Sequence, residues 1–231
     1  AAVAQPAPAT ATPPRAASAT ERPLASPSVR RRAWELGLDL RLVRASAASG
    51  RIMHADLDAA VRSVIEVIQL GVPVARVEFM DAGAVRATNR YSHLSLRETP
   101  LLLFEFHGSP ASVREQAAQV QEVTRGNGGL DFEWAERPED RNRLWTARHN
   151  AYFAGLQLRP GCRSSTTDVC VPISRLAECV GQTAAELDRA SFPYTIVGHV
   201  GDGNFHVLML LDPDNPAEWA ESEELNQRLV E

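Results

Sequence analysis

Two histidines, His199 and His206, bracket a run of turn formers in GHVGDGNFH, residues 198–206. Neutral imidazole is a common ligand for Zn, Mn or Fe, and two rings on one face of a hairpin can chelate a single divalent ion. Gly201, Asp202, Gly203 and Asn204 favour a tight turn, and the two glycines accept positive φ at low cost. With those four residues as the loop, Val200 faces Phe205 and His199 faces His206. Directly opposed residues share a face, with Cβ atoms ~4.5–5.5 Å apart. The alternative is two surface histidines beside an ordinary glycine-rich turn.

Two arginines have the chemistry to hold a carboxylate. Arg148 lies in LWTARHNAY and Arg163 in RPGCRSSTTDV. A planar guanidinium grips a carboxylate bidentately; surface ion pairing is the competing reading. Arg141 and Arg143, on the same helix as Arg148, read as solvated. His149 adjoins Arg148, and on a helix its side chain points about 100° away, so packing is its expected role. His107, in EFHG, reads as loop structure at a strand end. Asn204 either orients a substrate oxygen or serves only as a turn former. Asp168 can hold an arginine or a backbone turn.

The elements that must position these groups alternate between helix and strand patterns. LDAAVRSVIEVIQLG reads as a helix closed by Gly71, VARVEFM as a strand and LLLFEFHG as a second strand. ASVREQAAQVQEVTRGNGG is an amphipathic helix ended by glycine. RPEDRNRLWTARHNAYFAGLQ reads as one longer helix. SSTTDVCVP is a β-branched strand stopped by Pro172, ISRLAECVGQTAAELDRA a helix, and YTIVGHVGDGNFHVLMLL two strands around a turn. Interleaved helices and antiparallel strands without a dinucleotide fingerprint give an α+β class, with helices against a sheet face.

Composition bounds the function. The 231 residues are 44% hydrophobic with a formal net charge of -5, enough for one sizeable core and unsuited to general nucleic-acid binding. Residues 1–58 carry +3 and the remainder -8. Three cysteines, Cys162, Cys170 and Cys179, match no CxxC spacing and suggest thiols in a reducing compartment, cytoplasmic or like the mitochondrial matrix. No apolar run is long enough to cross a bilayer. The chain starts without Met and reads as a fragment. Its first residues lack a secretory pattern and leave an organelle transit peptide open.

GHVGDGNFH resembles the GHxGDGNxH signature of FAD-linked oxidases in the D-lactate, glycolate and D-2-hydroxyglutarate dehydrogenase family. NRYSHL, LLFEFHGS, RLWTARHNAY, TTDVCVPISRL and IVGHVGDGNFH are similar to the cytochrome-linked D-lactate dehydrogenases, over about 170 residues. The resemblance implies a C-terminal domain with a ferredoxin-like antiparallel sheet, spanning residues 60–231, that covers substrate beside an FAD domain. It also implies a divalent metal, Zn or Mn, on His199 and His206, with Arg148, Arg163 and Asn204 on a D-lactate-like 2-hydroxyacid. Electrons would pass to cytochrome c or a quinone, with the intact enzyme peripheral to a membrane. A third metal ligand, a Glu in an EHGIG-like motif, and a histidine base not assignable to a residue complete the family pattern. Neither that motif nor an FAD domain lies within these residues, so the isolated chain is expected to be catalytically silent.

Residues 1–24 are rich in Ala, Pro and Thr and read as a disordered, semi-extended linker. Residues 25–59 are expected to form a small two-helix module. SPSVRRRAWELGLDL and GRIMHADLDA resemble the peripheral subunit-binding domain of dihydrolipoamide acyltransferases. The loop before GRI departs from that family, with Ala45 and Ala47 where glycine is common. Arg30, Arg31, Arg32 and Arg51 form a basic cluster that, by the resemblance, docks dihydrolipoamide dehydrogenase; a solvated helix start is the alternative. The seam between the two families is expected near Asp58 to Arg62.

Overall fold

The computed structural model describes residues 47–54 and 56–230; the linker, most of the two-helix module and Arg30, Arg31 and Arg32 lie outside the described residues. The strands are β1 (Ala47–His54), β2 (Val74–Met80), β3 (Leu101–His107), β4 (Gly129–Ala135), β5 (Arg163–Thr166), β6 (Val169–Cys170), β7 (Tyr194–His199) and β8 (Asn204–Leu211). The helices are α1 (Leu57–Gln69), α2 (Ala82–Ser92), α3 (Pro110–Gly126), α4 (Pro138–His149), α5 (Ala151–Leu156), α6 (Leu176–Leu187) and α7 (Pro216–Val230). The strands form one sheet in the order β4-β1-β3-β2-β7-β8-β5, with β6 also on β8. Every pairing is antiparallel. The β4-β1-β3-β2 half, with α1 between β1 and β2 and α3 between β3 and β4, is the ferredoxin-like β-α-β-β-α-β order. α2 is inserted between β2 and β3.

That half requires a strand the sequence placed elsewhere. AASGRIMH, expected within the two-helix module, is β1 and lies between β3 and β4. Ile52 and Met53 alternate into the two cores, Ile52 pairing with Leu102 and Phe132, Met53 with Leu101. Ala47 opens this strand, in an extended conformation that needs no glycine. The expected seam therefore falls inside α1, which starts at Leu57. The Arg51 guanidinium meets Glu133 of β4 at 2.5 Å, a cross-strand ion pair in the sheet.

Alternation along β2 divides the molecule. Val77 and Phe79 join a core with Phe104, Phe106 and Val207 beneath α1, α3, α6 and α7. Met80 joins Met53, Leu101, Leu103, Trp145 and Ala151 beneath α2, α4 and α5. Burying one such large apolar side chain stabilises by ~1.5–3 kcal/mol. Gly71, at φ 71°, closes α1 as expected. The long helix after Arg137 is in fact two: Asn150, at φ -92° and ψ -1°, separates α4 from α5, and its amide donates to Ser92 Oγ at 2.8 Å. SSTTDVCVP also divides. Thr167 sits between β5 and β6 and spends both backbone N–H and Oγ1 on Val207. Among the described residues no helix is long and apolar enough to cross a membrane.

Asp81 caps α2, its Oδ1 accepting from Ala84 N at 2.7 Å. Burial pushes its carboxyl up to about 7, against the opposing pull of hydrogen bonds from Ala84 and the Arg86 charge. The unfolded carboxyl titrates near 3.8. The group's full contribution to stability therefore exists below that value and is lost as pH rises through about 7. Asparagine caps as well as aspartate and carries no charge. Asp81→Asn should match wild type in urea unfolding at pH 4 and exceed it at pH 8, by on the order of 3 kcal/mol. A stability difference that does not widen with pH would contradict this assignment.

Candidate functional site

The turn between β7 and β8 differs from the expected one. Val200–Asp202 forms a 3-10 turn and Gly203, at φ 75°, completes the reversal. His199 pairs with Asn204, and His206 with Val197. The opposed pair expected from the sequence, His199 with His206, is thus corrected to a diagonal one. The register moves by an even number of residues, so both rings stay on one face. Diagonal neighbours lie farther apart than opposed ones but within reach of large rings. The ring centroids are 5.7 Å apart and the planes 84° from parallel.

Each ring is held through the same nitrogen. His199 Nδ1 lies 2.7 Å from Glu78 Oε1. His206 Nδ1 lies 3.2 Å from the Thr167 carbonyl and 3.4 Å from Asp168 Oδ1. A carbonyl can only accept, so Nδ1 of His206 carries the proton; the Glu78 carboxylate imposes the same on His199. Both Nε2 lone pairs are left for a ligand, the arrangement typical of metal-bound imidazole. The donor set therefore fits a divalent ion as two of its ligands. No cluster of three His, Cys, Asp or Glu side chains suited to a metal occurs among the described residues.

Arg148 reaches the same place from α4. Its Nε donates to Glu78 Oε2 at 3.0 Å, and its side chain is 17% exposed. Asn204 Nδ2 donates to Asp168 Oδ1 at 2.6 Å, which gives Asp168 the role of bracing Asn204 beside His206. His149 stacks on Trp145 with centroids 6.2 Å apart, and burial, then the Arg76 and Arg148 charges, hold its ring below the ordinary histidine range. His107 ends β3 with its ring at 3.3 Å from Glu105.

Arg163 is not part of this group. It pairs with Leu211 at the far end of β8, on the face opposite the histidines by alternation. The five steps from Leu211 to His206 span about 17 Å of strand. Arg163 is exposed, and the structure does not bring it to the histidine pair, where the expected substrate role would need it. The residue that sequence reasoning missed is Glu78, 2% exposed and bonded to both Arg148 and His199. Its signal was a carboxylate between Val77 and Phe79 inside a strand, since a buried charge needs partners.

The family described as "FAD linked oxidases, C-terminal domain" matches residues 44–231, and the "e3 binding domain" matches residues 23–58. The two overlap where β1 and the start of α1 lie. A protein of Danio rerio named "Probable D-lactate dehydrogenase, mitochondrial" is 48% identical over 174 residues, covering 75% of this chain and 35% of the relative. "D-lactate dehydrogenase [cytochrome], mitochondrial" of Arabidopsis thaliana is 40% identical, covering 72% and 29%. A lipoamide acyltransferase component of the Pseudomonas aeruginosa branched-chain alpha-keto acid dehydrogenase complex is 59% identical over 39 residues, 17% of this chain and 9% of that one. Among solved structures, the fold is shared with 4-ethylphenol oxidase from Gulosibacter chungangensis at TM-score 0.56 and 16% identity, covering 79% of this chain and 43% of that one. The chain spans about a third of the length of the curated D-lactate dehydrogenases it matches, 35% and 29%. A matched region that takes in every described strand and helix, with a histidine pair on one face of the sheet, leads to one conclusion: the chain belongs to the FAD linked oxidases by their C-terminal domain.

Proposed function

We propose that the oxidase-family region is the substrate-side domain of an FAD-dependent D-lactate dehydrogenase acting on D-2-hydroxyacids. The observation that carries this reading is the His199–His206 pair, 5.7 Å apart on one face, with both Nδ1 atoms engaged and Arg148 next to it. His199 and His206 would hold a divalent ion, Zn or Mn, through Nε2. Arg148 spends Nε on Glu78, and its terminal nitrogens have no other protein partner among the described residues. They are turned to the substrate carboxylate, where a two-point grip fixes the orientation of C2. Asn204, steadied by Asp168, orients the 2-hydroxyl. In the intact enzyme the ion would polarise that hydroxyl and FAD would supply the hydride acceptor for C2, the hydroxyl proton passing to the histidine base of the family pattern, which is not assigned to a residue here. Cytochrome c or a quinone would then take the electrons.

The test is a graft. Residues 44–231 replace the matched segment of the Danio rerio relative, and D-lactate-dependent dye reduction is measured on the flavin-loaded product. The reading expects oxidation of D-lactate in preference to L-lactate. A graft that binds FAD yet oxidises neither would contradict it.

A second reading concerns the N-terminal segment and rests on its separate match to the e3 binding domain. Arg30, Arg31 and Arg32 would dock an acidic face of dihydrolipoamide dehydrogenase, the oxidase region being carried with it. Pull-down of that partner should weaken with salt and with Arg30→Glu plus Arg31→Glu. Capture indifferent to both would remove the basic patch as its cause.

A further inference from the structure

The partners of Glu78 come from two different parts of the chain. Its carboxylate is 2% exposed and stands on β2, on the face that carries His199 and His206. Oε1 meets His199 Nδ1 at 2.7 Å, and Oε2 accepts from Arg148 Nε at 3.0 Å. One oxygen thus fixes a ring of the metal pair, and the other fixes the guanidinium assigned to the substrate carboxylate. The same face is further ordered by charge. Arg76, two residues earlier on the same strand, pairs with Glu105 at 2.8 Å and lies 3.8 Å over the Trp145 ring of α4. α4 is therefore anchored to β2 independently of Glu78, which leaves Glu78 free to set side chains rather than the helix.

We propose that Glu78 is a positioning residue that sets the Nδ1–H tautomer of His199 and, through the same carboxylate, the orientation of Arg148. This rests on the reading of His199 and Arg148 as metal-side and substrate-side groups. The ring of His199 is half exposed and makes its one charged contact at Nδ1, so nothing else among the described residues selects its tautomer. A histidine whose Nδ1–H has lost its acceptor drifts to the other tautomer and presents a protonated Nε2, which cannot bind a metal. Arg148, released from Oε2, regains its rotamers and no longer presents a fixed fork. A single buried carboxylate thus holds the hydroxyl end and the carboxylate end of the site in register.

The experiment uses the full chain labelled with nitrogen-15. Ring-nitrogen shifts report the His199 tautomer, the Arg148 Nε–H signal reports its hydrogen bond, and Zn titration reports the pair. Wild type should show a protonated Nδ1 and a bare Nε2 on His199. Glu78→Leu should shift His199 toward the Nε2–H tautomer and weaken Zn binding by about 10–100-fold. Glu78→Gln keeps a carbonyl for His199 but replaces the carboxylate oxygen that accepts from Arg148 by an amide nitrogen; it should retain the tautomer and release the Arg148 Nε–H to fast exchange. Glu105→Gln, which removes a carboxylate from the same face, should leave His199 unchanged. An unaltered His199 tautomer in Glu78→Leu overturns the proposal. Should that variant fail to fold, an unaltered Arg148 signal in Glu78→Gln overturns it instead. If wild type binds no Zn, the metal reading fails, while the tautomer and the Arg148 signal still decide the role of Glu78.

Discussion

Gly203→Ala destabilises the domain by on the order of 4 kcal/mol, whereas Gly201→Ala changes stability by less than about 1 kcal/mol. Both glycines lie in the same turn, so the contrast isolates what the turn needs. Gly203 has φ 75°, in the left-handed region, where a Cβ adds roughly 1–2 kcal/mol. A Cβ built there would also come 2.1 Å from the Val171 carbonyl oxygen, a backbone atom with no freedom to rotate away. That carbonyl belongs to the segment held against the turn by the Val171 N–H to Gly203 O hydrogen bond of 3.0 Å. Relief would require β6 to leave β8, taking Asp168 from Asn204 and His206. At Gly201 the same atom would meet Val77 at 3.5 Å, ordinary van der Waals contact. Urea unfolding of the two variants checks this directly. Equal losses would mean that the turn is not held by β6.

β2, β3, β7 and β8 were legible because their pattern is local. VARVEFM, LLLFEFH and the two arms around GHVGDGNFH carry β-branched and aromatic residues bounded by turn formers. β1 was not legible: AASGRIMH has a glycine and an arginine at its centre and small residues before them. Its identity as a strand comes from β3 and β4, whose partners Phe104 and Trp134 lie more than 50 residues along the chain from Gly50. Pairing of that kind is tertiary and overrides local propensity. β4 was hidden by its acids, since Asp131 and Glu133 face solvent or Arg51 on an edge strand. α7 could have been read, with Pro216 opening it and Glu218 in its first turn.

The site divides along the same line. The histidine pair survived an error in register because only the parity of the shift decides the face. Arg163 stands apart from that pair, because its distance from His206 depends on where β5 lies along β8. Glu78 is one residue of a strand whose partners, Arg148 and His199, are 70 and 121 positions away. Only the folded sheet brings them to it.

Alanine at both His199 and His206 is expected to abolish substrate oxidation without unfolding the domain. His199 is 51% and His206 30% exposed at the side chain, so little apolar burial is lost. Glu78 keeps Arg148 as a partner. What disappears is both Nε2 donors of this chain. Polarisation of a substrate oxygen by a bound ion contributes several kcal/mol to the transition state, which at ~1.4 kcal/mol per factor of ten is on the order of 10³-fold in rate. The decisive measurement is the rate at which D-lactate bleaches the flavin in the graft of residues 44–231 into the Danio rerio relative, in a single turnover with Zn or Mn present. Wild-type histidines should give bleaching within the dead time or seconds, and the double alanine variant, with FAD bound and melting temperature unchanged, a rate at least about 100-fold lower. Equal bleaching rates in the two proteins would show that the histidine face of this sheet is not where the substrate reacts.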